Sequence, residues 1–481
     1  MHMHKKLFSS ILLFLLLNIL IKPFWILGVD VGVQNAVGAE EFGLYFAIFN
    51  FSYIFNILLD LGVTNFNNKN IAQHNQLISK HLSGILGIKF ILFLLFLAIT
   101  FTVGWIIGYN EREFFLLAWL CLNQFLNSLI LYLRSNFSGL LMFKTDSLLS
   151  VMDRVLMIIF CSLLLWGNIT NKPFQIEWFI GAQTLSYLIT TCVALVILIR
   201  KTKLRKLSLN LPFSIAIIKR SLPFALLVLL MASYNRIDPI MLQRILPSGS
   251  TSAGVYASAY RLLDALVMLA YLVSVPLLPI YAKMLKDKED IRPITRDVFV
   301  CVFAFSSGIA ITLSSLSGEL MKVLYDSHIE QSAAVFRILV FGFIPISVTY
   351  IFGTLLTANN SLRQLNILSA ITLAINIIIN LVLIPHYAES GSAWASLTAQ
   401  TFVAVAQMVV SIRIFHFKIH WHTILRLFVY IGMILGINLE LKHLELNWVW
   451  HIVMVGVAMM AMLFGLRLFR LKDIMKMIVK Q

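Results

Sequence analysis

Fourteen stretches of this chain are long and apolar enough to cross a lipid bilayer, and no other feature of it restricts the fold so strongly. A helix needs about 20 apolar residues to span the hydrocarbon core. Runs of that kind are read at 8–34, 43–63, 81–107, 114–133, 147–166, 178–199, 221–246, 253–282, 297–317, 332–357, 366–385, 391–412, 425–440 and 448–466. Of the 481 residues 59% are apolar and 12% charged, whereas soluble proteins carry roughly 25% charged residues. This excludes a soluble enzyme, a secreted disulfide scaffold and a disordered chain. The expected fold is an all-α polytopic membrane protein.

Charge placement orients the spans. With the N-terminus inside, 27 of the 38 Lys and Arg fall in cytoplasmic segments, four in external loops (Arg112, Lys172, Lys322, Lys442) and seven within spans. That asymmetry is the positive-inside rule, so the net charge of +16 needs no nucleic-acid partner. Both termini are expected in the cytoplasm. Lys5 and Lys6 ahead of an apolar run imitate a signal peptide, and Val37-Gly38-Ala39 resembles a cleavage site. The run is too long for such a leader and contains Lys22, so it reads as the first span. Cys121, Cys161, Cys192 and Cys301 lie in apolar runs without CxxC spacing and carry no disulfide or metal signal. Nucleotide-binding glycine motifs are absent, and no cofactor or metal is expected.

The longest and most basic connection, Arg200 to Arg220, divides the chain. The expected organisation is an N-terminal six-helix lobe (1–199), a basic cytoplasmic linker (200–220) and a C-terminal six-helix lobe (221–412). Two further helices and a basic tail follow (413–481). The halves echo each other. The first span breaks at Lys22-Pro23 and the seventh at Asp238-Pro239, and each is followed by a Gly-x-Tyr helix opening, Gly43-Leu44-Tyr45 and Gly254-Val255-Tyr256. Interrupted helices in matching positions point to a transport site.

A charge at mid-bilayer costs at least ~2.5–3.5 kcal/mol on insertion scales, so it faces a partner or a wet cavity. The spans hold Lys22, Lys89, Arg154, Arg236, Arg244, Arg261 and Arg337 against Asp30, Asp60, Asp153, Asp238 and Asp264. Arg244 and Arg337 sit near outer helix ends and are read as snorkelling to the headgroups. Asp60 reads as a helix-end residue. Lys22, Lys89, Arg154, Arg236 and Arg261 remain as candidate substrate-binding cations, with Asp238, Asp30 and Asp264 as candidate ion-coupling acids. Tyr256 and Tyr260, four apart and beside Arg261, would suit a sugar ring next to a phosphate.

Several local patterns recur in one order: Glu41-Phe42-Gly43-Leu44-Tyr45, Leu59-Asp60-Leu61-Gly62, Asn235-Arg236-Ile237-Asp238-Pro239-Ile240-Met241-Leu242, and Tyr260-Arg261-Leu262-Leu263-Asp264. Ser332-Ala333-Ala334 to Leu339 and Leu383-Ile384-Pro385-His386-Tyr387 with Gly391-Ser392-Ala393 complete the set. With the 6+6+2 arrangement, they make the chain resemble the O-antigen-type polysaccharide or oligosaccharide-lipid flippases of the multidrug/oligosaccharidyl-lipid/polysaccharide exporter superfamily. One departure is that Asn65, Asn67 and Asn68 precede Lys69 where that family often carries an arginine after the helix end. The resemblance implies two lobes around a cavity that opens alternately to each side of a bacterial inner membrane. It also implies a polyprenyl-pyrophosphate-linked glycan as cargo, membrane lipids as surroundings, and glycan polymerase and glycosyltransferases as partners. A lipid-linked peptidoglycan-precursor flippase would use the same cationic logic. A membrane-embedded glycan polymerase or ligase would need a sizeable catalytic external loop, and the loops around 318–331 and 167–177 are short; a non-enzymatic transporter is therefore expected.

Overall fold

A computed structural model of the chain describes residues 20–21, 23–64, 67–68, 71, 78–140, 142–167, 172–201, 211–418, 421–444, 447–466 and 468. Among these residues every regular element is helical. Lys22, the two termini and residues 202–210 of the 200–220 connection lie outside the described residues.

A π-helical turn, Trp25–Asp30, runs into α1 (Val31–Ile54), which ends in a 3-10 turn, Phe55–Leu59. Then follow α2 (Ile78–Ile107), α3 (Glu111–Gly139), α4 (Phe143–Trp166), α5 (Ile176–Lys201), α6 (Leu211–Arg236) and the short α7 (Asp238–Ile245). Continuing, α8 is Gly249–Lys286, α9 Arg292–Ser315, α10 Ser317–Leu324, α11 Ile329–Leu339 and α12 Phe343–Ala358. The last three are α13 (Leu362–Phe415), α14 (Trp421–His443) and α15 (Trp448–Gly465). Eleven helical segments among the described residues are long and apolar enough to cross a membrane, and twelve if α6 and α7, bent by 50° at Ile237, count as one. The chain is a multi-pass membrane protein.

Local chemistry sets the helix boundaries. Asn110 accepts from the Glu113 backbone N–H at 2.9 Å while Glu113 accepts from the Asn110 N–H at 2.8 Å, a capping box that starts α3. Asn447 accepts from the Val449 N–H at 3.0 Å and starts α15. The expected break at Asp238-Pro239 is present, with Pro239 in the first turn of α7, where its missing N–H leaves no intrahelical bond unmade. Two long helices contain one non-helical residue each. Gly38 in α1 has φ 83° and ψ 166°, and Ala388 in α13 has φ 47° and ψ −130°. Around Ala388 the chain doubles back: a Cβ on Gly391 would lie 2.5 Å from the Leu383 carbonyl oxygen, although eight residues of straight helix separate atoms by about 12 Å.

The described residues form two compact units, one ending at Gly254 and one beginning at Val255. The first has a core in which Leu82, Tyr132, Phe137, Leu149 and Leu198 bring together α2, α3, α4 and α5. In the second, Val300, Ile311, Tyr430, Ile434, Val455 and Met459 join α9 to α14 and α15, and Leu277, Tyr281, Ile294 and Ile351 join α8, α9 and α12.

Candidate functional site

The break between α6 and α7 makes two helix ends inside one apolar segment. Carbonyl ends of helices favour cations and amide ends favour anions, and the sequence supplies both: Arg236 is the last residue of α6 and Asp238 the first of α7. Asp238 is fully buried. Arg236 is half-buried, its guanidinium carbon lying 5.2 Å from the centre of the Tyr53 ring on α1. Its Nη1 donates to Asn50 Oδ1 at 3.4 Å.

Arg154, on α4, has a similar setting. It lies 5.7 Å from the Trp25 ring centre, and its Nε is 3.5 Å from Asp153 Oδ2. Tyr187, Asp30 and Tyr45 are within electrostatic range of it. Between the two arginines runs a file of rings: Trp25 on Phe179 at 6.0 Å, Phe179 on Tyr45 at 5.2 Å, Tyr45 on Phe49 at 5.9 Å and Phe49 on Tyr53 at 6.0 Å.

Lys89, on α2, is fully buried. Its Nζ donates to Asp60 Oδ1 at 2.7 Å, Ser128 Oγ at 2.8 Å and the Leu59 carbonyl at 3.2 Å. An ammonium has three hydrogens, and here each has an acceptor, so a phosphate would have to displace Asp60. Asp60 also accepts from Thr64 and so closes the turn after the 3-10 segment, the helix-end role expected of it.

In the second unit Tyr256 and Tyr260 stack on each other at 5.7 Å with 21° between planes. Tyr256 is fully buried and Tyr260 nearly so, as is Arg261, while Asp264 is half-buried. Neither ring of the stack is more than 8% exposed; on the other face of the same helix Ser258 meets Ser332 at 3.0 Å and its carbonyl accepts from Tyr325 Oη at 3.3 Å. The structure thus gathers Arg154, Asp153 and Asp30 in one group and Arg236 with α1 in another, both in the first unit. Arg261, Asp264, Tyr256 and Tyr260 lie together on α8 in the second.

Three features escape sequence reading. Arg244 does not snorkel: its guanidinium pairs with Glu113 and lies 4.4 Å from the Tyr109 ring centre, and Gln243 Nε2 donates to the same carboxylate at 2.9 Å. Tyr53 and Asn50 look like ordinary span residues until α6 is laid beside them. The two Gly-x-Tyr glycines meet: a Cβ on Gly43 would fall 1.8 Å from the Ser250 carbonyl oxygen, and one on Gly254 would fall 1.9 Å from that of Ala39. Gln34 Nε2 donates to the Gly254 carbonyl at 3.0 Å. Among the described residues no group of three or more His, Cys, Asp or Glu side chains converges as a metal site.

Comparison with known proteins gives these features a context. Residues 7–285 match a family model described as "Polysaccharide biosynthesis protein". No match was found among curated proteins. Among solved structures, the lipid II flippase MurJ in an inward closed conformation is similar at TM-score 0.72 with 15% identity, over 92% of this chain and 97% of that one. An inward-facing multidrug resistance MATE family transporter of the MOP superfamily is similar at TM-score 0.63 with 12% identity, over 81% and 94% of the two chains. A MOP superfamily transporter from Pyrococcus furiosus, described by the reverse polarity of its binding pocket, is similar at TM-score 0.58 with 14% identity, over 85% and 94%. At these identities the likeness is one of fold.

Proposed function

This chain belongs to the polysaccharide biosynthesis protein family, and from that premise we propose that it is a flippase for a polyprenyl-pyrophosphate-linked oligosaccharide. The cargo passes from the inner to the outer leaflet of a bacterial inner membrane through a cationic cavity that opens to each side in turn. The lipid tail stays in lipid; the difficult parts are the pyrophosphate and the sugar hydroxyls. Burying each unsatisfied hydroxyl costs about 1–3 kcal/mol and an unpaired anion far more. Guanidiniums lower that barrier through bidentate contacts to phosphate. The observation that carries this reading is the setting of Arg236, a half-buried cation at a helix break within an apolar segment, held by Tyr53 and Asn50.

In this reading Arg236, Arg154, Arg261 and Lys22 supply the cationic lining, with Lys89 joining when it gives up Asp60, and Tyr256 and Tyr260 beside Arg261. Asp238, Asp30 and Asp264 carry the coupling ion. The count is fourteen spans, arranged as two six-helix lobes and two C-terminal helices, with both termini cytoplasmic. In support, α13 with its 54 residues would be about 81 Å long if straight, more than twice a bilayer core. Dividing it at Ala388 and α1 at Gly38, and joining α6 with α7, yields fourteen.

Reconstituted vesicles test the proposal. Arg236→Ala should abolish flipping of the lipid-linked oligosaccharide while leaving insertion and thermal stability intact, and collapsing the ion gradient should slow the unmodified protein. Undiminished transport by Arg236→Ala would remove the assignment. A lipid-linked peptidoglycan precursor is the second cargo, favoured by the fold likeness to a lipid II flippase; direct competition between the two lipids in the same vesicles decides between them.

A further inference from the structure

A recess of about 270 Å³ opens in the second unit, lined by Arg292, Pro293, Arg296, Phe417 and Lys418. Two stretches of chain build it. Arg292 and Arg296 stand one turn apart at the start of α9, and Phe417 and Lys418 follow the end of α13. Its base is fixed from within: the Phe417 ring lies 6.4 Å from Phe352 and 6.3 Å from Phe415, and Phe352 lies 5.7 Å from Phe299. Phe415 and Phe417 also pack on the core that joins α8, α9 and α12. Three cations thus line one recess on a packed base, and like charges so gathered are eased by an anion between them.

Asp290 and Asp297 offset part of that repulsion but do not use up the donors. A guanidinium has five N–H groups. Asp290 engages Arg292 through Nε at 2.7 Å and Nη2 at 3.0 Å, and Asp297 engages Arg296 through Nε at 2.9 Å and Nη2 at 2.8 Å. Among the described residues this leaves each arginine both hydrogens on Nη1 and one on Nη2. Both pairs are exposed to water, so each is worth at most about 1 kcal/mol and yields readily to a phosphate.

Position identifies what carries the anion. Arg296 directly precedes the apolar run 297–317, and Lys418 falls between the runs 391–412 and 425–440. The recess therefore lies at the border of the hydrocarbon core, the level of lipid headgroups. Pro293 and Phe417 give it an apolar side, which suits a fully hydrated ion poorly. Along α13 an apolar groove of about 760 Å³ runs from Trp394 to Arg413, toward the same helix end, and offers acyl chains a bed.

We propose that this recess binds the phosphodiester headgroup of an anionic phospholipid, with Arg292 and Arg296 donating to the phosphate oxygens. Basic recesses between membrane helices hold anionic headgroups in this way. The bound lipid ties the start of α9 to the end of α13. This goes beyond the flippase reading and does not depend on it.

The test uses the full-length protein in nanodiscs of phosphatidylglycerol and phosphatidylcholine with matched chains, and native mass spectrometry counts the lipids retained. The unmodified protein should hold phosphatidylglycerol over phosphatidylcholine about tenfold, the worth of one charge-assisted hydrogen bond at its weaker end. Arg292→Gln/Arg296→Gln should abolish that preference. Either single variant should already lower it several-fold, so the result does not hang on the double variant folding. Arg200→Gln/Lys201→Gln removes the same charge from the end of α5 and should leave the preference intact. An undiminished preference in Arg292→Gln/Arg296→Gln would overturn the proposal, as would an equal loss in both double variants, which reports surface charge and not a site. Inorganic phosphate added to the detergent-solubilised protein separates lipid from a soluble anion, and it should not raise the melting temperature beyond chloride at equal ionic strength. A rise that Arg292→Gln/Arg296→Gln removes would give the recess to a soluble anion and overturn the lipid assignment.

Discussion

Lys89 shows how a single residue can satisfy a rule drawn from sequence and yet be used differently. A cation in an apolar run signals a partner or a cavity, and here the partner is internal: the ammonium ties together Asp60, Ser128 and the Leu59 carbonyl. Removing one member of a buried pair leaves the other unsatisfied, at a cost of about 3–5 kcal/mol. Asp60 is a quarter exposed, which puts Lys89→Met near the lower end, about 3 kcal/mol. Its thermal unfolding in detergent should fall clearly below that of the unmodified protein, and Lys89→Met/Asp60→Asn should regain part of the loss. An unchanged midpoint for Lys89→Met would show that the pair does not hold the turn. Arg244 teaches the same lesson, because only the approach of α3 and α7 brings Glu113 to it.

At the scale of elements, the repeated Gly-x-Tyr was legible as an echo between halves, but not that its two glycines pack on each other. Their hypothetical Cβ atoms would collide with backbone, which cannot rotate away as a side chain can. Gly254→Ala must therefore push α1 and α8 apart. Overpacking of this kind costs roughly 1–3 kcal/mol. A lowered melting temperature and faster labelling of a cysteine placed at Ala253 are expected. Gly456→Ala, on α15 with nothing within 4 Å of the added carbon, should be neutral or mildly stabilising, since alanine is the better helix former. Equal melting temperatures for the two variants would mean that the close approach is not needed. The break at Asp238-Pro239, by contrast, was readable directly, because a proline's missing N–H acts on its own helix.

For the whole molecule, an even number of crossings returns the chain to the side on which it began. Fourteen spans with cytoplasmic ends predict that single cysteines at Lys5 and Lys480 resist a membrane-impermeant reagent added to intact cells, while one at Lys172 reacts. Labelling of just one terminus would require an odd count and would disprove the topology. Those terminal positions lie outside the described residues, so the proposed orientation rests on charge asymmetry alone.

Sequence alone determined the helical fold, the extent of most spans, the break in α6–α7 and the excess of cations within apolar runs. Each depends on hydrophobic length or on backbone chemistry within a few residues, and a bilayer leaves few other ways to satisfy a buried peptide group. Only the tertiary structure decided which of those charges are already paired and which ring carries Arg236. Asn50 and Arg236 are 186 positions apart, and Arg244 and Glu113 are 131 apart. Contacts of that kind arise from how helices pack, for which neighbouring residues carry no local signal.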